Sequence, residues 1–284
     1  MRAVIINADD FGIDESVNFG IIKGHLEGVV SSTTIMASGK AFMHAVELAK
    51  SSPKLGVGVH LTLVNEKPIA PYDRVKSLID ADGRMPSEYG LFLRNFLMKK
   101  IDLGDIRYEL EMQIKRVIDA GIVPTHLDSH QHLHVFPGII DIVLELGKKF
   151  NIKVLRIPGE GFFYVGGYPF TFGRLVGRSG LTFLARLARR KAARQGFLYS
   201  DNFFGMLAGN CMKEPYLLRI LEDLPQGSSE IMMHPGISDS IMTERYGWRS
   251  NWQAELAAAT SQVVKNYIVA HDIKLTTFRD LRYV

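Results

Sequence analysis

Carboxylates and imidazoles recur in this 284-residue chain wherever a short apolar run ends. Asn7, Asp9 and Asp10 close the first run, His60 the run at 55–61, Asp128 and His130 the run at 125–129, and His234 the run at 230–233. One carboxylate with two imidazoles is a common three-ligand set for a divalent ion and leaves positions open for water and substrate. A second carboxylate beside the first is then free to act as a base. The densest stretch is THLDSHQHLH at 125–134. Its His126, Asp128, His130, His132 and His134 occupy alternate positions, so all five would share one face if the strand continued through them. Burying several imidazoles with a carboxylate is costly unless a metal or a catalytic network engages them. Taken singly, the other pieces have plainer readings. Asp9 and Asp10 could cap the helix that follows, and His60 could be a hydrogen-bonded rim histidine. His25 and His44 lie on helix patterns and His271 near a helix end, and these three read as structural.

Such residues must be delivered by elements. Candidate strands fall at 3–8, 33–37, 55–61, 125–129, 153–157, 202–206, 230–233 and 274–278. Helical periodicity fills the gaps at 15–27, 41–50, 105–120, 137–150, 215–223 and 252–271. Strands alternating with helices indicate βα units around a parallel sheet. Seven or eight mostly parallel strands in this order predict a single α/β domain over 1–284, a closed or nearly closed (β/α) barrel with its active site at the strand C-termini. The first strand lacks a GxGxxG, which removes the main reason to expect a dinucleotide fold. The segment 161–196, aromatic and then basic, reads as an insertion over one end of the barrel.

Composition sets wide bounds. Apolar residues make up 46% and charged residues 23%, as in ordinary globular proteins. One cysteine, Cys211, allows no internal disulfide and suits a reducing compartment. The apolar run at the N-terminus is too short for a signal peptide, and no stretch approaches the roughly 20 apolar residues of a bilayer span, so a cytoplasmic location is expected. The net charge of +4 is uneven: no acidic residue lies between Glu160 and Asp201, where six arginines and Lys191 fall. No nucleic-acid partner is expected.

At the rim residues the sequence resembles the YdjC-like carbohydrate deacetylases, a family that includes chitooligosaccharide deacetylases and a hopanoid-biosynthesis (HpnK-like) branch. The matching segments are NADDFG at 7–12, SSTTIM at 31–36, GVHLTL at 58–63, THLDSHQHLH at 125–134, LRIPGE at 155–160 and MMHPG at 232–236. The resemblance implies a barrel related to the NodB-type deacetylases and a homodimer. It implies hydrolytic removal of acetyl from an N-acetylated sugar, either an N-acetylglucosamine-type oligosaccharide or a lipid-linked, hopanoid-type sugar. It also implies one divalent metal on Asp10, His60 and His130, with Asp9 as general base and His234 as the acid that protonates the leaving amine. Asp128, His132 and Arg156 are expected around these, as substrate contacts or as supports. The family metal is magnesium, whereas two imidazoles suit zinc or another transition metal.

Two rival readings remain at this level. A metal-dependent phosphoesterase also uses an HxH pattern such as His132 and His134. A catalytically silent sugar- or lipid-binding barrel would share the fold. The run 181–194 is helical in pattern, with Leu184, Leu187 and Ala188 on one side and Arg186, Arg189, Arg190 and Arg194 largely on the other. A basic amphipathic helix of this kind can dock on an anionic membrane. The preceding loop, with Phe163, Tyr164, Tyr168 and Phe170, could stack on a sugar. The plain alternative is a solvated charged face with aromatics packed beneath it.

Overall fold

The period-two alternation of the first strand divides its side chains between two environments. Val4, Ile6 and Ala8 join the main apolar cluster under the helices, whereas Ile5 belongs to a separate small cluster with Val154, Phe278 and Leu281. The computed structural model describes residues 1–168, 171–209, 211–247 and 251–283. In chain order the elements are β1 (Arg2–Phe11), α1 (Glu15–Glu27), β2 (Ser32–Ile35), α2 (Phe42–Ser51), β3 (Gly56–Leu61), α3 (Tyr89–Leu97), α4 (Leu103–Asp119), β4 (Leu127–Ser129) and α5 (Ile139–Lys149). There follow α6 (Phe172–Arg194), β5 (Asn202–Phe204), α7 (Glu214–Glu222), β6 (Gly227–Met233), α8 (Asp239–Tyr246), α9 (Trp252–Thr260), α10 (Gln262–Ala270) and β7 (Ile273–Leu275).

The strands run parallel in the order β4-β3-β2-β1-β6-β5. β7 pairs with the start of β1, Arg2 opposite Ile273, below the point where β2 takes over at Asn7. This is a parallel half-barrel, not the closed or nearly closed barrel expected. The candidate strand at 153–157 contributes only two single bridges, Leu127 with Leu155 and Val154 with Leu198. Two local features stop a longer ladder. β4 ends after three residues because Gln131 and His132 take left-handed backbone angles, both with φ 58°, and Pro158 has no N–H to donate.

Those angles also overturn the expectation of one continuous face at 126–134. Only Leu127–Ser129 is strand, and His130–Val135 is a tight helical turn. The pattern at 252–271 splits into α9 and α10 at Ser261, whose hydroxyl accepts from the N–H groups of Val263 and Val264. The segment expected as an insertion joins the bridging residues near 155 to those near 198, the place of an ordinary βα crossover. Its helix starts at Phe172, earlier than the periodicity placed it, and buries Ala185, Ala188 and Ala192.

Candidate metal centre

Adjacent residues of a strand point to opposite faces, so Asp9 and Asp10 could not serve one site from a regular strand. A register shift between Ala8 and Phe11 resolves this, and Asp10 sits in the left-handed region at φ 67°. An irregularity of this kind re-aims a side chain at a strand end. The chain then turns into α1. Asn18 accepts from the Gly12 N–H at 2.6 Å, and Asp14 caps the helix by accepting from Ser16 N–H.

The bend brings Asp10 against the two expected imidazoles. Its Oδ1 lies 3.3 Å from His60 Nε2 and 2.9 Å from His130 Nδ1. One ligand atom from each of Asp10, His60 and His130 lies within 4.8 Å of the others, and all three residues are buried. His60 Nδ1–H donates to Asp128 Oδ1 at 2.8 Å, which leaves Nε2 facing the cluster. Thr34 Oγ1 donates to the same Asp128 oxygen at 2.5 Å. A carboxylate behind the histidine is the usual way to fix a metal-binding imidazole.

The electrostatics of the cluster favour positive charge beside its carboxylates. Burial lowers the pKa of His60, but Asp128, Asp10 and Asp9 outweigh it and lift the imidazole to about 10. Burial raises the carboxyl of Asp10, yet His130 and His60 hold it well below its usual range. With no metal, the carboxylates keep a proton on His60. A divalent ion would supply that positive charge instead, so the donor set fits one.

Asp9 is held separately. Arg156 makes paired 2.6 Å bonds to its two oxygens, and Asn7 Nδ2 donates to Oδ1 at 2.8 Å. Asp9 Oδ2 lies 4.0 Å from His60 Nε2, beside the ligand set. A second group with metal-like spacing, Asp9, His60 and Asp128, also exists. Arg156 Nη1 already lies 2.6 Å from Asp9 Oδ2 and 2.8 Å from Asp128 Oδ2. A guanidinium stands where a second metal would need those two carboxylates.

Of the remaining expected residues, His234 follows β6, one step beyond the rung that pairs Ala8 with Met233. Its N–H donates to Glu255 Oε2 at 2.5 Å, its Nδ1 lies 3.9 Å from that oxygen, and its ring meets Trp252 edge-on. His132 is buried against Phe203 and His134, with its pKa lowered chiefly by burial. His134 bridges Ser129 Oγ and the Arg156 carbonyl. The sequence reading missed Glu230, which accepts from Arg156 Nε at 2.6 Å, and Glu255, which seats His234 and Met212 N–H. A lone glutamate in the buried strand sequence EIMM was a usable signal for the first, whereas Glu255 looked like any helix carboxylate.

The aromatic loop is less available than its composition implied. Tyr168 is buried against Tyr216, Tyr164 packs on Phe204, and Phe170 lies outside the described residues. Phe163 stays 98% exposed. Several cations of α6 are also engaged. Arg178 donates to the carbonyls of Gly161 and Phe162, Lys191 pairs with Asp141 at 2.7 Å, and Arg189 donates to the Asp201 carbonyl.

The family model described as YdjC-like protein matches residues 3–270. A carbohydrate deacetylase of Brevibacillus brevis is 34% identical over 98% of this chain and 99% of its own. A chitooligosaccharide deacetylase of Proteus mirabilis is 30% identical over 98% of each chain. A crystal structure from Enterococcus faecalis, named for a proposed cleavage of cellobiose phosphate, is 28% identical and superposes with a TM-score of 0.80 over 99% of this chain and 98% of its own. The match along nearly the whole length, on the segments that build the buried Asp–His cluster, places this chain in the YdjC-like protein family.

Proposed function

We propose that this chain is a metal-dependent carbohydrate N-deacetylase, hydrolysing the acetamide of an N-acetylated sugar to a free amine and acetate. The observation that carries the reading is the pairing of a one-carboxylate, two-imidazole cluster with a second carboxylate, Asp9, held beside it by Arg156. The names of the Brevibacillus and Proteus relatives supply the substrate class. A divalent ion on Asp10, His60 and His130 would polarise the acetamide carbonyl and acidify water. Zinc or another transition metal suits the two imidazoles, although magnesium is the alternative.

The protein's own groups do the rest. Asp9 Oδ2, on the side facing the ligand set, accepts the proton of the attacking water. Arg156 and Asn7 keep that carboxylate in place. His234 donates a proton to the departing sugar nitrogen, which is too basic to leave as an anion. Glu255 seats His234 at the rim through its backbone N–H. His132 and Asp128 line and support the site.

The name of the Enterococcus protein raises phosphoester cleavage as the rival. The position of Arg156 weighs against it, because the guanidinium takes the carboxylates that a second metal would use. Acetate release from N-acetylglucosamine oligomers, measured beside phosphate release from cellobiose phosphate and a generic phosphoester, decides between them. Phosphate release without acetate would overturn the deacetylase reading.

The finer reading is a lipid-linked N-acetylated sugar, with α6 resting on the membrane. What supports it is an exposed stripe on that helix. Phe172 is 80% and Phe183 58% exposed, with Val176 and Leu187 on the same face and Arg186, Arg190 and Arg194 exposed near its end. Contact of this kind would be peripheral, since no helix among the described residues is long and apolar enough to cross a membrane.

A further inference from the structure

Arg156 has no exposed surface and holds three carboxylates at once. Its Nη1 and Nη2 face Asp9, Nη1 also meets Asp128, and Nε donates to Glu230 Oε1 at 2.6 Å. Charge balance does not call for Glu230. Asp9 and Asp128 already set two carboxylates against one guanidinium, and a third in the fully buried part of β6 is unfavourable. Burial, against the pull of Arg156, pushes the Glu230 carboxyl up to about 8. Burial thus disfavours its charged form, and the bond from Nε–H does not depend on that charge.

What remains is its geometry. The Nε–H is the guanidinium bond that points away from the pair facing Asp9. An acceptor fixed there sets the rotation of the planar fork and hence the direction of both Nη groups. A protonated carboxyl still offers a carbonyl oxygen for that bond. We propose that Glu230 is a positioning residue: by accepting the Nε–H of Arg156 it aims the guanidinium at Asp9 and holds that carboxylate in line with the attacking water. This rests on Asp9 being the base of the deacetylase described above.

Two replacements separate an acceptor from a charge. Glu230→Gln keeps a carbonyl oxygen and removes the ionisable group, whereas Glu230→Leu removes the acceptor at similar volume, with Glu230→Met as the substitute should Leu fail to fold. The Gln variant should keep kcat within about twofold. The Leu variant should lose about tenfold or more in kcat, since small misplacements of reacting groups are costly, with KM and bound metal unchanged. In an Asp9→Asn background the Leu change should add no further loss. An independent readout is the Arg156 Nε–H resonance in ¹⁵N NMR, assigned with Arg156→Lys. It should exchange slowly in the wild type and the Gln variant and rapidly in the Leu variant. Equal kcat losses in the two variants, or equal Nε–H exchange in all three proteins, would overturn the positioning role. A wild-type protein that releases no acetate would instead overturn the activity itself.

Discussion

Asp9→Asn tests the base at the scale of a single oxygen. The amide cannot take a proton, and one of its atoms becomes a donor facing an Arg156 N–H. Asp128 and Glu230 still pair with Arg156, so the fold should persist with a lowered melting temperature. The kcat should fall by roughly 10²-fold or more while the metal stays bound. Activity within a few fold of wild type would make Asp9 structural. The ligand set is tested by His60→Ala and His130→Ala. Each removes one of the two imidazoles facing Asp10, and each should lose most of the metal measured by mass spectrometry. Undiminished metal in both would refute Asp10, His60 and His130 as ligands.

At the scale of the element, the site depends on how closely β3 and β4 approach. A Cβ added at Gly58 would fall 2.3 Å from His126 Cε1, and that ring cannot retreat because it is stacked on Phe278 at 3.7 Å. Gly58→Ala should therefore destabilise the protein by about 1–3 kcal/mol, the usual range for overpacking. Its urea midpoint is the check, and a midpoint equal to wild type would mean that the ring moves freely. The second element is α6. If its apolar stripe and terminal arginines meet a membrane, the protein should sediment with anionic but not neutral liposomes, less so at high salt. Phe172→Ser with Phe183→Ser should abolish this. No sedimentation with anionic vesicles, together with high activity on short soluble chitooligosaccharides, would remove the membrane reading.

For the whole molecule, the buried imidazoles link folding to pH. Burial pushes His126 down to about 3, and His134 down to about 4 by the same cause, so both are neutral in the folded protein. In the unfolded chain they protonate near 6.5. Between about 6.5 and 4 the unfolded state thus binds more protons. The stability that each neutral histidine contributes is fully present above 6.5 and is lost on acidification, with a slope of about 1.4 kcal/mol per pH unit. Glu230, pushed up to about 8, acts with the opposite sign over part of that window. The difference between wild type and His126→Phe isolates one histidine. In metal-free buffer, the unfolding free energy of wild type should fall relative to that of His126→Phe by that slope from pH 6.5 to 4.5. Parallel curves would show that His126 does not titrate on unfolding.

The residue types and their order were legible in the sequence because parallel βα units deliver polar residues to one rim. Asp9, Asp10, His60, Asp128, His130 and His234 each stand within two residues of a strand's end, and that is visible one segment at a time, whereas Asn7 lies inside β1, which runs on to Phe11. Other features were not local. The alternation at 126–134 predicted one face, but Gln131 and His132 adopt a left-handed backbone that no periodicity encodes. Closure of the barrel failed for the same reason, since pairing depends on where the neighbouring ladder stops. Arg156 reaches Asp9 across 147 residues of sequence, and Glu230 reaches Arg156 across 74. Only the tertiary structure decides which carboxylate faces the guanidinium and which group is left to face a metal. A buried charge is governed by the partners that surround it in space, and these come from strands far apart in the chain.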